Sequence, residues 1–199
     1  MITPKKHLSY TQVMLWERSP MLYVESYIFG KAHYENDAMR FGKKFAEAFV
    51  EDTEDLDIEV AKYHFIPYQK QEFEVNVKIP YKTRFISFKA IFDGYSPKTG
   101  HIGERKTGQS VWNQRKVDLD DQLTCYAYVH WLKYKKIPNR LTLEWLPTYR
   151  DKNGEIKIKQ SKPLVFETKR SMRDFIIFYP RIIKAYLGIG QLMKKYVGY

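Results

Sequence analysis

The sequence predicts an α/β domain, a mixed central β-sheet flanked by α-helices. Three observations predict it. Apolar residues recur at helical spacing near both ends of the chain. Between those ends the pattern switches to period two, with Phe73, Val75, Val77 and Ile79 alternating with polar residues. A further helical stretch, from about Asp118 to about Lys135, then divides the strands into two groups.

Each element has a local reason. Ser9 is a good N-cap for a helix over Tyr10 to Arg18, and Ser19-Pro20 breaks or restarts it, because proline suits a first turn but not an interior. A helix is expected from Asp37 to Glu51, with Ala38, Phe41, Phe45, Ala48 and Phe49 as its core face. The acidic run Glu51 to Glu59 reads as a solvated loop or frayed helix end. A strand over Arg84 to Tyr95, the turn Ser96-Pro97-Lys98-Thr99-Gly100 and a strand over His101 to Thr107 form a hairpin. Gly108 to Lys116 is a polar, basic loop carrying Trp112. Asp118 is expected to cap the helix that follows, and Pro138 lies just past its end. Leu141 to Tyr149 is a strand, and Asp151-Lys152-Asn153-Gly154 is a strong hairpin turn. Glu155 to Lys159 and Leu164 to Thr168 extend the sheet. Ser171 caps a last helix to about Tyr196, expected to be interrupted near Pro180.

Composition narrows the function. The 199 residues fit a single domain, 1–199, large enough for a real core. Lys and Arg number 34 against 23 Asp and Glu, a net charge of +11, and a surplus of that size favours polyanions, nucleic acid first among them. The single cysteine, Cys125, supplies neither a disulfide nor the cysteine set of an iron–sulfur cluster, and reads as a buried, inert thiol. His7, His33, His64, His101 and His130 are not spaced as zinc ligands; His101 reads as a strand-edge residue and His130 as structural. There is neither a phosphate-binding Gly-rich loop of the ATPase type nor a Gly-x-Ser-x-Gly elbow. No membrane span or secretory leader is apparent, so the expected location is cytoplasmic, the host cytoplasm for a phage-encoded chain.

Three residues carry the chemistry: Asp93 in Ala-Ile-Phe-Asp-Gly-Tyr, and Glu104 and Lys106 in Ile-Gly-Glu-Arg-Lys-Thr-Gly. Alternation puts Glu104 and Lys106 on one face of their strand and Arg105 on the other. The hairpin brings Asp93 beside Glu104. Two carboxylates and an ammonium at one point on a sheet suit metal-assisted hydrolysis of a phosphodiester, because Mg²⁺ or Mn²⁺ takes hard oxygen ligands, often only one or two of them carboxylates. Lys106 would position or deprotonate the attacking water, or stabilise charge in the transition state.

The pattern Asp-x10-Glu-x-Lys resembles the core of the PD-(D/E)XK nucleases. Gln122 and Tyr126, i,i+4 on the next helix, resemble the extra motif of the RecB-like, CRISPR-associated-exonuclease-like branch. Leu8-Ser9-Tyr10-Thr11, Ser19-Pro20 and Arg40-Phe41-Gly42-Lys43-Lys44-Phe45 resemble that group's opening helices, so the likeness spans residues 8 to about 130. The resemblance implies a restriction-endonuclease-like core and a Mg²⁺- or Mn²⁺-dependent deoxyribonuclease. Asp93 and Glu104 would hold metal, and Lys106, Gln122 and Tyr126 would complete the catalytic set. It further implies exonuclease action on DNA ends or single strands in recombination, repair or phage DNA processing, with recombination or replication proteins as possible partners and no membrane. Trp112, Arg115 and Lys116 are candidate DNA contacts, one stacking ring and two phosphate-seeking cations; the alternative is that Trp112 folds back onto the core.

The sequence departs from the group twice. Many RecB-like members carry a histidine ligand where this chain has Ala46; the neighbouring Glu47 reads as a surface residue. Ser19-Pro20 stands where cluster-bearing relatives have Cys-Pro, so no iron–sulfur cluster is expected. The missing histidine motivates a rival reading, a non-catalytic nucleic-acid-binding module on a nuclease fold.

Overall fold

A seven-stranded mixed sheet organises the chain in a computed structural model that describes residues 5–31 and 35–198. Strand β1 (Leu8–Ser9) leads into helix α1 (Tyr10–Arg18), whose Ser9 cap accepts from the Gln12 amide. Ser19 caps α2 (Pro20–Tyr23) in the same way, with Pro20 in the first turn, where its missing N–H costs no helical bond. A π-helical turn, Val24–Ile28, continues α2. Helix α3 (Asp37–Glu47) ends sooner than its apolar spacing predicts, and α4 (Leu56–Lys62) starts afresh from Asp55. Thus the acidic run is partly loop and partly helix. The strands and remaining helices follow: β2 (Lys70–Tyr81), β3 (Arg84–Ser96), β4 (His101–Gly108), α5 (Gln114–Asp118), α6 (Asp121–Tyr134), β5 (Arg140–Arg150), β6 (Ile156–Ile158), β7 (Leu164–Thr168) and α7 (Met172–Val197).

Two expectations are corrected. Asp118 does not cap the long helix; it ends α5, and its carboxylate accepts from Thr168 and Gln114. Asp120 caps α6 instead, taking the Leu123 amide at 2.8 Å. Nor does Pro180 interrupt the last helix. The proline sits on the exposed side of α7, while Phe178, Ile182, Ala185 and Ile189 bury on the other, so packing outweighs the lost backbone bond.

The sheet separates two apolar layers. The larger lies among α1, α6, α7 and the sheet, with Phe88, Phe92, Leu123, Val129, Phe178 and Ile182 at its centre. The smaller is made by Phe45 and Ala48 of α3, Ile58 and Ala61 of α4, Phe65 and Leu146. Gly42 lets α3 sit close to β4; a Cβ there would stand 3.3 Å from the Thr107 hydroxyl.

Strand pairing positions the site. Strand β2 runs antiparallel along one edge of β3 for its whole length. The other edge is shared. Strand β4 pairs with β3 only over Ser96, Tyr95 and Gly94, while β1 pairs in parallel with Phe88 and Lys89. Between them β3 and β4 part company, and the fork opens at Asp93. There Arg105 bridges both ways: its backbone N–H donates to Asp93 Oδ2 at 2.7 Å, and its guanidinium to the Asp93 carbonyl at 3.2 Å. On its other edge β4 pairs in parallel with β5 throughout, which fixes it in the sheet.

Candidate active site

Gly94 pairs with Gly103, so Asp93 and Glu104 face each other one step beyond the last pair. Both glycines are required by Tyr68, because a Cβ on either would stand 2.1 Å from its side chain. Tyr68 is pinned in turn by its hydroxyl, 2.6 Å from Thr142 Oγ1. Sequence and packing thus place a flat platform under the fork, with a carboxylate next to each glycine.

From Glu104 a polar chain leads to α6. The Lys106 ammonium is ion-paired with Glu104 and donates to Gln122 Oε1 at 2.9 Å. Gln122 Nε2 donates to the Tyr126 hydroxyl at 2.8 Å, and Tyr126 also reaches Glu104. The i,i+4 spacing on α6 makes this possible: Gln122 and Tyr126 share the face turned to β4. Asp120, the α6 cap, adds a carboxyl near Glu104 and Lys106. Arg170 holds that corner by donating to the Val117 and Asp120 carbonyls at 3.0 Å and to Thr124 Oγ1 at 2.7 Å.

Burial and like charge tune the group. Glu104 is 1% exposed, and burial, with Asp93 beside it, pushes its carboxyl up to about 7. Burial also raises Asp93, against the opposing pull of the Arg105 amide and Lys106. Burial works against the Lys106 ammonium, but Glu104 and Asp93 outweigh it and hold it charged. Glu104 Oε2 is buried and makes no well-formed hydrogen bond among the described residues.

Two clefts meet at Asp93. One, of about 490 Å³, lies between α3 and the sheet, with Gly42, Ala46, Glu72, Arg105, Lys106 and Thr107 among its walls. The other, of about 500 Å³, runs between the β1–α1 corner and α6, where Lys5, Tyr10, Tyr27, Lys89, Gln122 and Tyr126 face it. Asp93 and Glu72 line both.

The structure therefore gathers Asp93, Glu104, Lys106, Gln122 and Tyr126 into one site. It does not bring Trp112, Arg115 and Lys116 to either cleft. Trp112 is half-buried against the main core with the Lys116 ammonium 6.0 Å from its ring, while Arg115 and Lys116 are exposed on α5. Ala46 faces the first cleft and offers no donor atom; Glu47 is exposed and pairs with Lys43 at 4.0 Å. His101 is not a strand-edge residue: it is buried, bonded to Thr142 Oγ1 at 3.0 Å. His130 stays structural, held by Tyr95 and the Lys136 carbonyl, and His33 lies outside the described residues. Sequence reading missed Glu72, Asp120 and Arg170. Asp120 carried a signal, a capping residue at the start of an apolar helix, but Asp118 offered the same signal two residues earlier.

The donor set fits a hard divalent cation. Among the described residues no three His, Cys, Asp or Glu side chains stand together as a ready-made metal cage. Mg²⁺ and Mn²⁺ do not need one, since water and substrate phosphate complete the shell around one or two carboxylates. Glu104 Oε2, a carboxyl oxygen out of water and short of a partner, is the atom a cation would satisfy. Asp93, Glu104 and the Arg105 carbonyl are the groups that would hold it.

No protein-family model and no curated protein sequence matches this chain. Solved structures do. SSO0001 superposes with a TM-score of 0.60 at 12% identity, over 91% of this chain and 75% of its own. A phage-related exonuclease from Haemophilus somnus 129PT gives 0.55 at 13% identity, over 93% of this chain and 82% of its own. A protein from Eubacterium rectale bearing a provisional exonuclease name gives 0.56 at 10% identity, over 98% and 82%. At these identities the likeness is one of fold: the chain shares the mixed α/β fold of these structures.

Proposed function

We propose that the chain is a metal-dependent DNA nuclease of the PD-(D/E)XK kind, on its RecB-like branch, acting as an exonuclease on DNA ends or single strands. One observation carries this reading: the chain Glu104–Lys106–Gln122–Tyr126 lies beside Asp93 at a fork in the sheet and opens on two clefts. The surplus of +11 charge and the exonuclease structures of the same fold support it. A divalent cation, bound by Asp93 and Glu104, supplies an acidified water and charge neutralisation at the phosphate.

The chain's own groups do the rest. Asp93 is oriented by the Arg105 amide, so its free oxygen faces the clefts. Lys106, held charged by its carboxylate neighbours, is suited to fixing the attacking water and stabilising the non-bridging phosphate oxygen rather than to taking a proton. Gln122 fixes Lys106, and Tyr126 fixes Gln122. Tyr10 and Tyr27 offer rings, and Lys5 and Lys89 offer charge, along the second cleft, a composition suited to a single strand. Arg115 and Lys116, outside the clefts, serve as phosphate contacts to flanking DNA.

A second reading is kept because Ala46 offers no ligand and no three-ligand cage is assembled: a DNA-binding module without cleavage. End-labelled linear and circular DNA, single- and double-stranded, incubated with Mg²⁺, Mn²⁺ or EDTA, separates them. Metal-dependent loss of linear DNA with circles spared is the expected result. Binding without cleavage of any substrate establishes the module.

A further inference from the structure

Glu72 occupies an unusual position. The register Gln71–Gly94 and Phe73–Phe92 places it directly opposite Asp93, yet it drops out of the β2–β3 ladder. Its backbone is left-handed, at φ 45°, a conformation that side-chain-bearing residues adopt at a cost and that clusters at functional positions. Its carboxylate makes no hydrogen bond or ion pair with any described residue, whereas Glu74, next along that face of the strand, is paired with Lys89. Its side chain lines both clefts with Asp93, and across the first cleft stands Ala46, with nothing to donate.

These facts combine with the unsatisfied, buried Glu104 Oε2. A cation seated between Asp93 and Glu104 has ligand positions open on the cleft side. Among the described residues Glu72 is the carboxyl-bearing side chain besides Asp93 that lines these clefts, Asp120 lying on the α6 side of Glu104, and its rotatable stem lets the carboxylate turn towards Asp93. We infer that Glu72 is a third carboxylate ligand of the metal centre, supplied by β2 rather than by α3. The left-handed backbone is the feature that turns a strand residue towards the fork. This inference rests on the nuclease reading above and specifies its metal site.

The test measures metal binding apart from turnover. Mn²⁺ binding to the DNA-free protein is followed by isothermal titration calorimetry for the parent, Glu72→Gln, Glu72→Gly, Asp93→Asn and Glu47→Gln, with thermal midpoints in EDTA. Glu72→Gln is expected to weaken Mn²⁺ binding about 10–100-fold, and Glu47→Gln to leave it unchanged. Glu72→Gly keeps the left-handed backbone without strain, so it should lose the same affinity while raising the EDTA midpoint by about 2–4 °C. The Mn²⁺ concentration giving half-maximal cleavage should rise in step. Parent-like Mn²⁺ affinity in both Glu72 variants, with Asp93→Asn impaired, overturns the role of Glu72 and leaves the nuclease reading standing. A parent that binds no Mn²⁺ overturns both.

Discussion

The two faces of β4 make an instructive pair. Residues 104 and 106 point to α6, and residue 105 points to α3 and α4. Each face buries one carboxylate beside one cation: Glu104 with Lys106, and Glu144 of β5 with Arg105 at 3.8 Å. In both, burial pushes the carboxyl up to about 7. What differs is the surroundings. Arg105 lies 3.6 Å from the Phe49 ring centroid and within cation–π reach of Phe65 and Tyr68, and Glu144 Oε1 is spent on the Ile66 amide. Glu104 and Lys106 instead pass into amide and hydroxyl groups that lead to open clefts. A perturbed carboxyl is therefore no signature of a catalytic centre by itself; access and a supporting polar chain distinguish the two.

Removing the cation from each face in turn should separate the two most widely. Arg105→Ala should cost about 3–5 kcal/mol of stability, read as a lower urea midpoint, because Glu144 is left buried without its partner. Lys106→Ala should lower the urea midpoint less than Arg105→Ala, since the ammonium is partly exposed and Glu104, left without it, can take up a proton, but it should lower the cleavage rate about 10²–10³-fold. Gln122→Ala should produce a smaller loss in the same assay, because it positions Lys106 and does not meet the phosphate.

A third measurement asks where the two faces should agree. Glu144 has an ordinary carboxyl value of 4.5 in the unfolded chain and about 7 when folded. The folded state thus binds the proton more tightly, and the stability this contributes is fully present below about 4.5 and lost as pH rises to about 7. Glu104 titrates with the same sign. Each carboxyl should therefore contribute a fall in stability between pH 4.5 and 7, set against the opposite contribution of His101, whose value burial lowers from 6.5 to about 4, and the slope should lose that downward part in either Glu104→Gln or Glu144→Gln. An unchanged slope in Glu144→Gln would mean that Glu144 is ionised throughout.

Much of this was legible because local rules and tertiary structure agree. The period-two run at Phe73 to Ile79, the turn at Ser96 to Gly100 and the Glu104–Lys106 alternation are properties of a few adjacent residues, and β2, β3 and β4 follow them. The i,i+4 pair Gln122–Tyr126 is likewise a property of one helix. What was illegible depends on distant partners. Asp118 looks as good a cap as Asp120 until Thr168, 50 residues away, claims its carboxylate. Pro180 reads as a break until the packed face of α7 holds the helix through it. Glu72 reads as one more outward strand glutamate, since neither its backbone angle nor its register against Asp93 is written in nearby sequence.

The isosteric pair Glu104→Gln and Glu144→Gln decides whether Glu104, and not Glu144, belongs to an active centre. Cleavage of end-labelled linear DNA in Mn²⁺ would be timed for both at a temperature where circular dichroism shows both folded. Glu104→Gln should lose cleavage by about 10²-fold or more while still binding DNA in EDTA, and Glu144→Gln should stay within about tenfold of the parent. Equal losses in the two variants, or cleavage that survives Glu104→Gln, would contradict it.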